Sequence, residues 1–493
     1  MFYSRSFAFI RGFQRIMIES KTFGISHGVC RVCGALVPAR VEADAAGVWL
    51  RVFCAAHGEH RALVRSDADD YARTLRFVKP ASVPAAFAGD AALGCPDGCG
   101  FCERHEQHLC MPIIEITGRC DLACPICINA SGGDGLASLV GHGDLEPAVF
   151  SRMLDRLLEA EPQIDVLNLS GGEPLLHPQV LELVDLALAR PEIVRVSIST
   201  NGMELLRQPR LLPELKRRGV VVSLQFDGFS DEVYQTLRGR PLLAEKQRIL
   251  ALLKEHDVTT SLTMTVAAGV NEAELPAVLE LLFAEPQIIS LMLQPVAFTG
   301  RGAALIDGAR RVTIPDLVRW IGESGVRGVA AADFVPLPCS HPLCFSLAFY
   351  LALEGGGVIS INRLADAATL MDSLANKVVF GLDPSEHEKL KALIYELWSG
   401  PAGAVPEAPA VLKTLKGILK EMAAPVPGAC GCFDPRRLFR TTERHVKSIF
   451  IHAFMDAETF DLARLRRCCQ AYPQPDGRLL PACTRNVVRQ ERV

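Results

Sequence analysis

Ile113-Ile114-Glu115-Ile116-Thr117-Gly118-Arg119-Cys120-Asp121-Leu122-Ala123-Cys124-Pro125-Ile126-Cys127 decides how this chain is read. A β-branched run ends in a glycine and then in three cysteines spaced C-x3-C-x2-C. β-branched residues favour strands, and thiols packed this closely suit a metal or cluster better than a disulfide framework. Three thiolates hold three irons of a [4Fe-4S] cube and leave the fourth iron open to a ligand. The same open position separates catalytic from structural zinc sites.

Downstream of this run, short β-rich stretches alternate with longer helical ones. Strands are predicted at about 113–117, 166–170, 194–200, 220–226, 261–266 and 289–295. Helices are predicted at about 146–160, 178–189, 203–217, 241–255 and 272–284. Strictly alternating strands and helices imply an α/β fold with a parallel sheet, here a partial or full (β/α) barrel. Chemistry in such barrels sits at the C-terminal strand ends. Cys120 lies at one such end, followed by Gly171-Gly172-Glu173-Pro174, by Ser199 and Asn201, and by Gln225 and Asp227. The two glycines are expected to let the backbone approach a ligand. Glu173 is expected to meet a cationic amino group, and the hydroxyls near Ser199 to meet a ribose or carboxylate.

The other cysteines, of 17 in all, divide into local sets. Cys30 and Cys33, then Cys54 and His57, flank the apolar run Val48–Phe53 and read as a small ribbon holding one zinc or iron. Cys95, Cys99 and Cys102 repeat the C-x3-C-x2-C spacing, with Cys110 close behind as a fourth ligand for an auxiliary cluster or a structural zinc. His105 and His108 are alternative ligands that read instead as solvated loop residues. Near the C-terminus, Cys339, Cys344, one of the adjacent Cys468 and Cys469, and Cys483 could build a second auxiliary cluster. Cys430 and Cys432 read as ordinary thiols. The chain divides into a ribbon at 22–75, a cluster segment at 90–110, a barrel at 111–325 and a C-terminal iron–sulfur region at 326–493, with further helices at about 385–398 and 409–423.

A net charge of −4 over 493 residues argues against a general nucleic-acid binder. No apolar run reaches the ~18 residues of a membrane span, and the N-terminal stretch lacks the pattern of a cleaved signal. A reducing cytoplasm is the expected compartment.

Taken together, the Cys120 triplet, the Gly-Gly-Glu-Pro segment one βα unit later and the Ser-Thr-Asn-Gly strand end resemble the radical S-adenosylmethionine (SAM) superfamily over about 111–300. Ile126 departs from its pattern, which has an aromatic residue before the third cysteine. The first triplet carries that aromatic, Phe101, but only Cys120 follows a convincing strand. Cys95–Cys110, Gln225–Phe229, Gln294–Arg301 and Pro338–Cys344 further resemble the tetraether lipid synthase group, over nearly the whole chain. That resemblance implies SAM, three [4Fe-4S] clusters and one mononuclear metal, with Cys120, Cys124 and Cys127 as the catalytic set. It implies an activity in which a 5′-deoxyadenosyl radical takes hydrogen from lipid chain ends and two chains are joined. The alternative is methylation of a pterin precursor or another small molecule. The implied partners are a lipid substrate, isoprenoid or fatty acyl, and an electron donor such as a ferredoxin or flavodoxin. Contact with the inner membrane face is expected through residues 1–18 or the lysine-bearing helix near 412–420.

Overall fold

The computed structural model describes residues 21–77, 80–96, 98–131, 143–306, 308–338, 340–353, 356–364, 407–423 and 443–488, with Tyr395, Arg436 and Arg440. The predicted helix at 385–398 and the N-terminal membrane segment therefore lie outside the described residues, as do Cys339, Cys430 and Cys432.

Two sheets organise the chain. The first is an antiparallel meander of β1 (Lys21–Val29), β2 (Leu36–Asp44), β3 (Gly47–Cys54) and β4 (Gly58–Arg65). In β3, Val48, Leu50, Val52 and Cys54 are buried at a period of two, as a half-buried strand requires. Ser26 donates to Asp461, Arg31 pairs with Glu458 at 2.9 Å, and Arg65 donates to the Pro342 carbonyl at 2.8 Å, so the ribbon docks on the C-terminal region.

The second sheet is built on the predicted βα series: β5 (Met111–Thr117), β6 (Ile164–Gly171), β7 (Ile193–Thr200), β8 (Val221–Gln225), β9 (Thr260–Val266) and β10 (Ile288–Pro295). They lie side by side in sequence order, all parallel. Leu167, Leu169, Val196, Ile198, Val222, Leu224, Leu262 and Met264 are fully buried in the main apolar core. The alternate positions, Asn168 and Ser170, Ser197 and Ser199, Ser223 and Gln225, Thr263 and Thr265, line a cavity. One set of side chains therefore builds the core and the other an amide- and hydroxyl-bearing inner face.

The barrel does not close. β10 pairs onward with β14 (Val446–His452), in parallel, and β5 pairs with β15 (Gln470–Pro473), also in parallel. Antiparallel to β14 runs β12 (Phe345–Ala352), flanked by the short β11 (Val335–Pro336) and β13 (Val358–Ser360). At the other edge β16 (Leu479–Pro481) pairs with β15. Of the two forms expected, the partial barrel is the one observed, because C-terminal strands occupy both edges that closure would have joined.

The predicted helix at 203–217 is two, Met203–Arg207 and Leu211–Arg218, with Pro209 in the break. The helix Ala408–Ala423 buries Val411, Leu415 and Ile418 against Leu351, Leu353 and Ile359. Its apolar face thus covers the chain's own core.

Candidate active site

Cys120, Cys124 and Cys127 follow β5 on an irregular loop, each half-buried, and all three line one cavity of about 470 Å³. The loop is pinned from the far side of the sheet. Arg301 donates through Nε to the Cys124 carbonyl at 2.7 Å and through its backbone N–H to that of Cys127 at 3.1 Å. From below, the Gly172 and Glu173 N–H groups donate to the Thr117 and Arg119 carbonyls at 2.9 and 2.7 Å. Gly171 has φ +132°, and a Cβ there would stand 2.2 Å from the Thr117 oxygen; one on Gly172 would stand 2.1 Å from that of Arg119. The sequence reading reserved this space for a ligand, but the backbone of the cysteine loop fills it.

Around one zinc, sulfurs stand roughly 3.8 Å apart, from Zn–S bonds of ~2.3 Å closed at the tetrahedral angle. Cubane ligands sit on different irons and stand farther apart. Among the described residues only Cys30, Cys33, Cys54 and His57 gather three or more ligand atoms within 4.8 Å of one another. The Cys120 triplet does not gather in this way, and three thiolates without a fourth fit a cluster with one open iron.

Behind the loop lies a buried polar network. Glu173 is 1% exposed. Its carboxylate accepts from Thr200 Oγ1 at 2.6 Å, from the Asn201 N–H at 2.7 Å and from the Leu175 N–H at 3.1 Å. Burial pushes it up to about 7 despite these donors. Its oxygens thus tie β6 to β7. Asn201 lines the cavity and donates through Nδ2 to Asp121 at 2.7 Å; Ser199 lines it and donates to Asn168 at 3.1 Å. Asp227 is fully buried and gripped by Arg238 at 2.7 and 2.8 Å, which holds that guanidinium in place. Arg238 lines the cavity beside Cys124, whose thiol burial pushes up while Arg238 opposes the push. Lys246, buried, donates to the Asn201 and Gln225 carbonyls at 2.6 and 2.7 Å and to Gln225 Oε1 at 2.7 Å, and burial brings it down to about 7. It fixes Gln225, which reaches the cavity.

In the ribbon, His57 Nδ1 stands 3.7 Å from Cys30 Sγ and 3.5 Å from Cys54 Sγ. The Cys33 backbone N–H is the chief influence holding the Cys30 thiol down to about 6, readying it as a thiolate ligand. These four residues fit one tetrahedral ion.

Residues 114–282 match the family model of the radical SAM superfamily, and residues 24–66 match that of the HMPTM N-terminal zinc ribbon domain. The chain carries a radical SAM domain. A 7,8-dihydro-6-hydroxymethylpterin dimethyltransferase of Methanocaldococcus jannaschii is 26% identical over 97% of this chain and 95% of its own length. A GTP 3′,8-cyclase of Chlorobaculum tepidum is 33% identical over 43% of this chain and 64% of its own. The mycofactocin maturase MftC of Mycobacterium ulcerans is 28% identical over 49% and 64% respectively. The tetraether lipid synthase group is not named among these relatives.

Around the radical SAM domain the remaining cysteines form buried groups. Cys95 and Cys99 lie with Cys483, Met455 and Phe460 in one apolar cluster. Burial pushes the Cys99 thiol up to about 12, with Cys95 and Cys102 adding to the push, so the first triplet is gathered. Cys110 packs in a different cluster, with Cys469 and Phe345, and Gln107 Nε2 donates to its sulfur at 3.3 Å. Burial pushes the Cys468 thiol well up, with Cys483, Cys469 and Cys344 adding. Cys344, Cys468 and Cys483 thus share a neighbourhood, while Cys469 turns toward Cys110. His105 is not solvated: it is buried, its ring tilted against Phe101 with centroids 3.9 Å apart, and lowered to about 4 by burial. His108 pairs with Glu161 at 3.1 Å.

Sequence reasoning missed Arg238, Gln470 and Asn486, all of which line the cavity. For Arg238 a signal existed. The helix Asp231–Arg238 is announced by Ser230, Asp231 and Glu232 at its start and by Gly239 after its end.

Proposed function

We propose that this radical SAM enzyme methylates a small fused nitrogen heterocycle of the pterin class. Bound together, the cluster and SAM supply a 5′-deoxyadenosyl radical. The protein's part is positional: Arg301 and the Gly171-Gly172 contact hold the cysteine loop, the Asp227–Arg238 pair flanks Cys124, and the polar inner face of β6–β9 receives polar ligands. The observation that carries this reading is the collinear likeness to the pterin dimethyltransferase, which runs through ribbon, radical SAM domain and C-terminal region alike. A cavity of about 470 Å³ suits one such molecule.

The second reading is the joining of lipid chains. In its favour, Leu337, Phe345, Leu347, Phe349, Phe450 and Phe454 give one side of the cavity an apolar wall. Anaerobically reconstituted protein with SAM and dithionite, given either the dihydropterin or a total lipid extract, separates the two by mass spectrometry. The proposal expects a methylated pterin. An unchanged pterin beside a chain-coupled lipid replaces the first reading with the second.

A further inference from the structure

Two buried amides interrupt the apolar side of the cavity. Gln470 opens β15, and Asn486 sits on the turn that follows β16; since β15 pairs with both β16 and β5, the two residues belong to one corner of the sheet. Asn486 is 1% exposed and Gln470 3%, and both line the cavity. Among the described residues, neither Oδ1 nor Nδ2 of Asn486 has a hydrogen-bond partner, and neither does Oε1 of Gln470. Gln470 Nε2 reaches a poor acceptor, the Met111 sulfur, at 3.5 Å. Buried polar atoms are almost always paired, and those left unpaired call for a functional account.

The surrounding turn is firmly built. Residues 484–488 form a single π-helical turn, a geometry that gathers at functional sites. Thr299 donates to the Asn486 carbonyl, Thr484 Oγ1 reaches Cys99 Sγ at 3.4 Å, and Arg485 pairs with buried Glu115 at 2.9 Å. Arg485 also lies over the ring of Tyr472, another cavity residue, 5.6 Å from its centroid. The Asn486 carbonyl and the Thr484 and Arg485 side chains are held in this way, although Nε and Nη1 of Arg485 are also left without hydrogen-bond partners among the described residues, and of these residues it is Asn486 whose amide lines the cavity.

We propose that Asn486, supported by Gln470, reads the edge of the substrate, taking a planar heterocycle that presents a donor and an acceptor side by side. A carboxamide offers both in one plane, which matches the amide edge of a pterin, whereas a hydrocarbon chain would leave these amides unpaired. The inference deepens the proposed function and rests on that reading of the cavity.

The test is anaerobic equilibrium binding of 7,8-dihydro-6-hydroxymethylpterin to the full, metal-loaded chain, for wild type, Asn486→Leu and Asn486→Asp. Iron content and visible absorption check that each variant is intact. Asn486→Leu is expected to weaken binding at least about tenfold, because it leaves the ligand's own polar edge unpaired. Asn486→Asp, which keeps size and acceptor but loses the donor, is expected to fall between. If Asn486→Leu fails to load iron, Asn486→Asp decides. Wild-type affinity in an intact variant overturns the inference and leaves the proposed function standing. A wild-type protein that binds no pterin overturns the substrate class and the inference with it.

Discussion

The donors around Glu173 are Thr200 and Asn201, which come from the neighbouring strand end, and the Leu175 N–H, from the turn that Glu173 itself opens. The Gly-Gly-Glu-Pro string marked Glu173 in the sequence, but not these donors. Changing Glu173→Gln keeps the shape and turns one acceptor into a donor that must face an N–H group, so stability should fall by about 1–3 kcal/mol. The pH dependence has a definite sign. Burial raises this carboxyl from 4.5 to about 7, so its contribution is fully present below its ordinary range and is lost as pH rises toward 7. Thermal unfolding of wild type and variant across that window should show the difference shrinking upward in pH, since other groups cancel between the two. Parallel curves would contradict the assignment. Gln470 and Asn486 were illegible for a related reason: each acquires meaning from the cavity it faces, and neither sits in a spaced motif, whereas Arg238 was legible only as the last residue of a capped helix.

Elements were legible where partners are close in sequence. In β6–β9 an apolar set alternates with hydroxyl and amide residues, and the parallel order of all six central strands follows from the βα alternation. β12 and β14 escaped notice because their pairing joins residues as distant as Ser346 and Ile451, and β12, apolar but for Ser346 and buried along nearly its whole length, shows no period. The ribbon stands at the opposite extreme, since its four ligands lie within a single meander and were all legible from spacing. Its small core makes the ion a structural member, and a metal bound only by the folded state stabilises it. Cys33→Ser should therefore release one zinc or iron per chain and make residues 21–65 sensitive to protease, read by elemental analysis and timed digestion. Retained metal with unchanged digestion would show that the ribbon holds without it.

At the scale of the molecule, the open sheet explains why the C-terminal region and the central domain share a cavity. β15 and β14 extend the parallel sheet at either edge and bring Tyr472, Phe450 and the Asn486 turn to the same cavity as Cys120, Cys124 and Cys127. The fold class was readable because the βα alternation is local; the edge strands, and with them the apolar part of the cavity wall, were not. The likeness to the pterin dimethyltransferase spans the same extent, whereas the other two reported relatives share about half of the chain. The central claim is that SAM cleavage belongs to the Cys120 triplet and not to the C-x3-C-x2-C repeat before it. The direct measurement is 5′-deoxyadenosine released from SAM by reduced, anaerobically reconstituted wild type, Cys124→Ala and Cys99→Ala proteins, quantified by liquid chromatography. The account predicts product from wild type and from Cys99→Ala, and none from Cys124→Ala. Product from Cys124→Ala at the wild-type level, with none from Cys99→Ala, would move the catalytic cluster to the first triplet and contradict it.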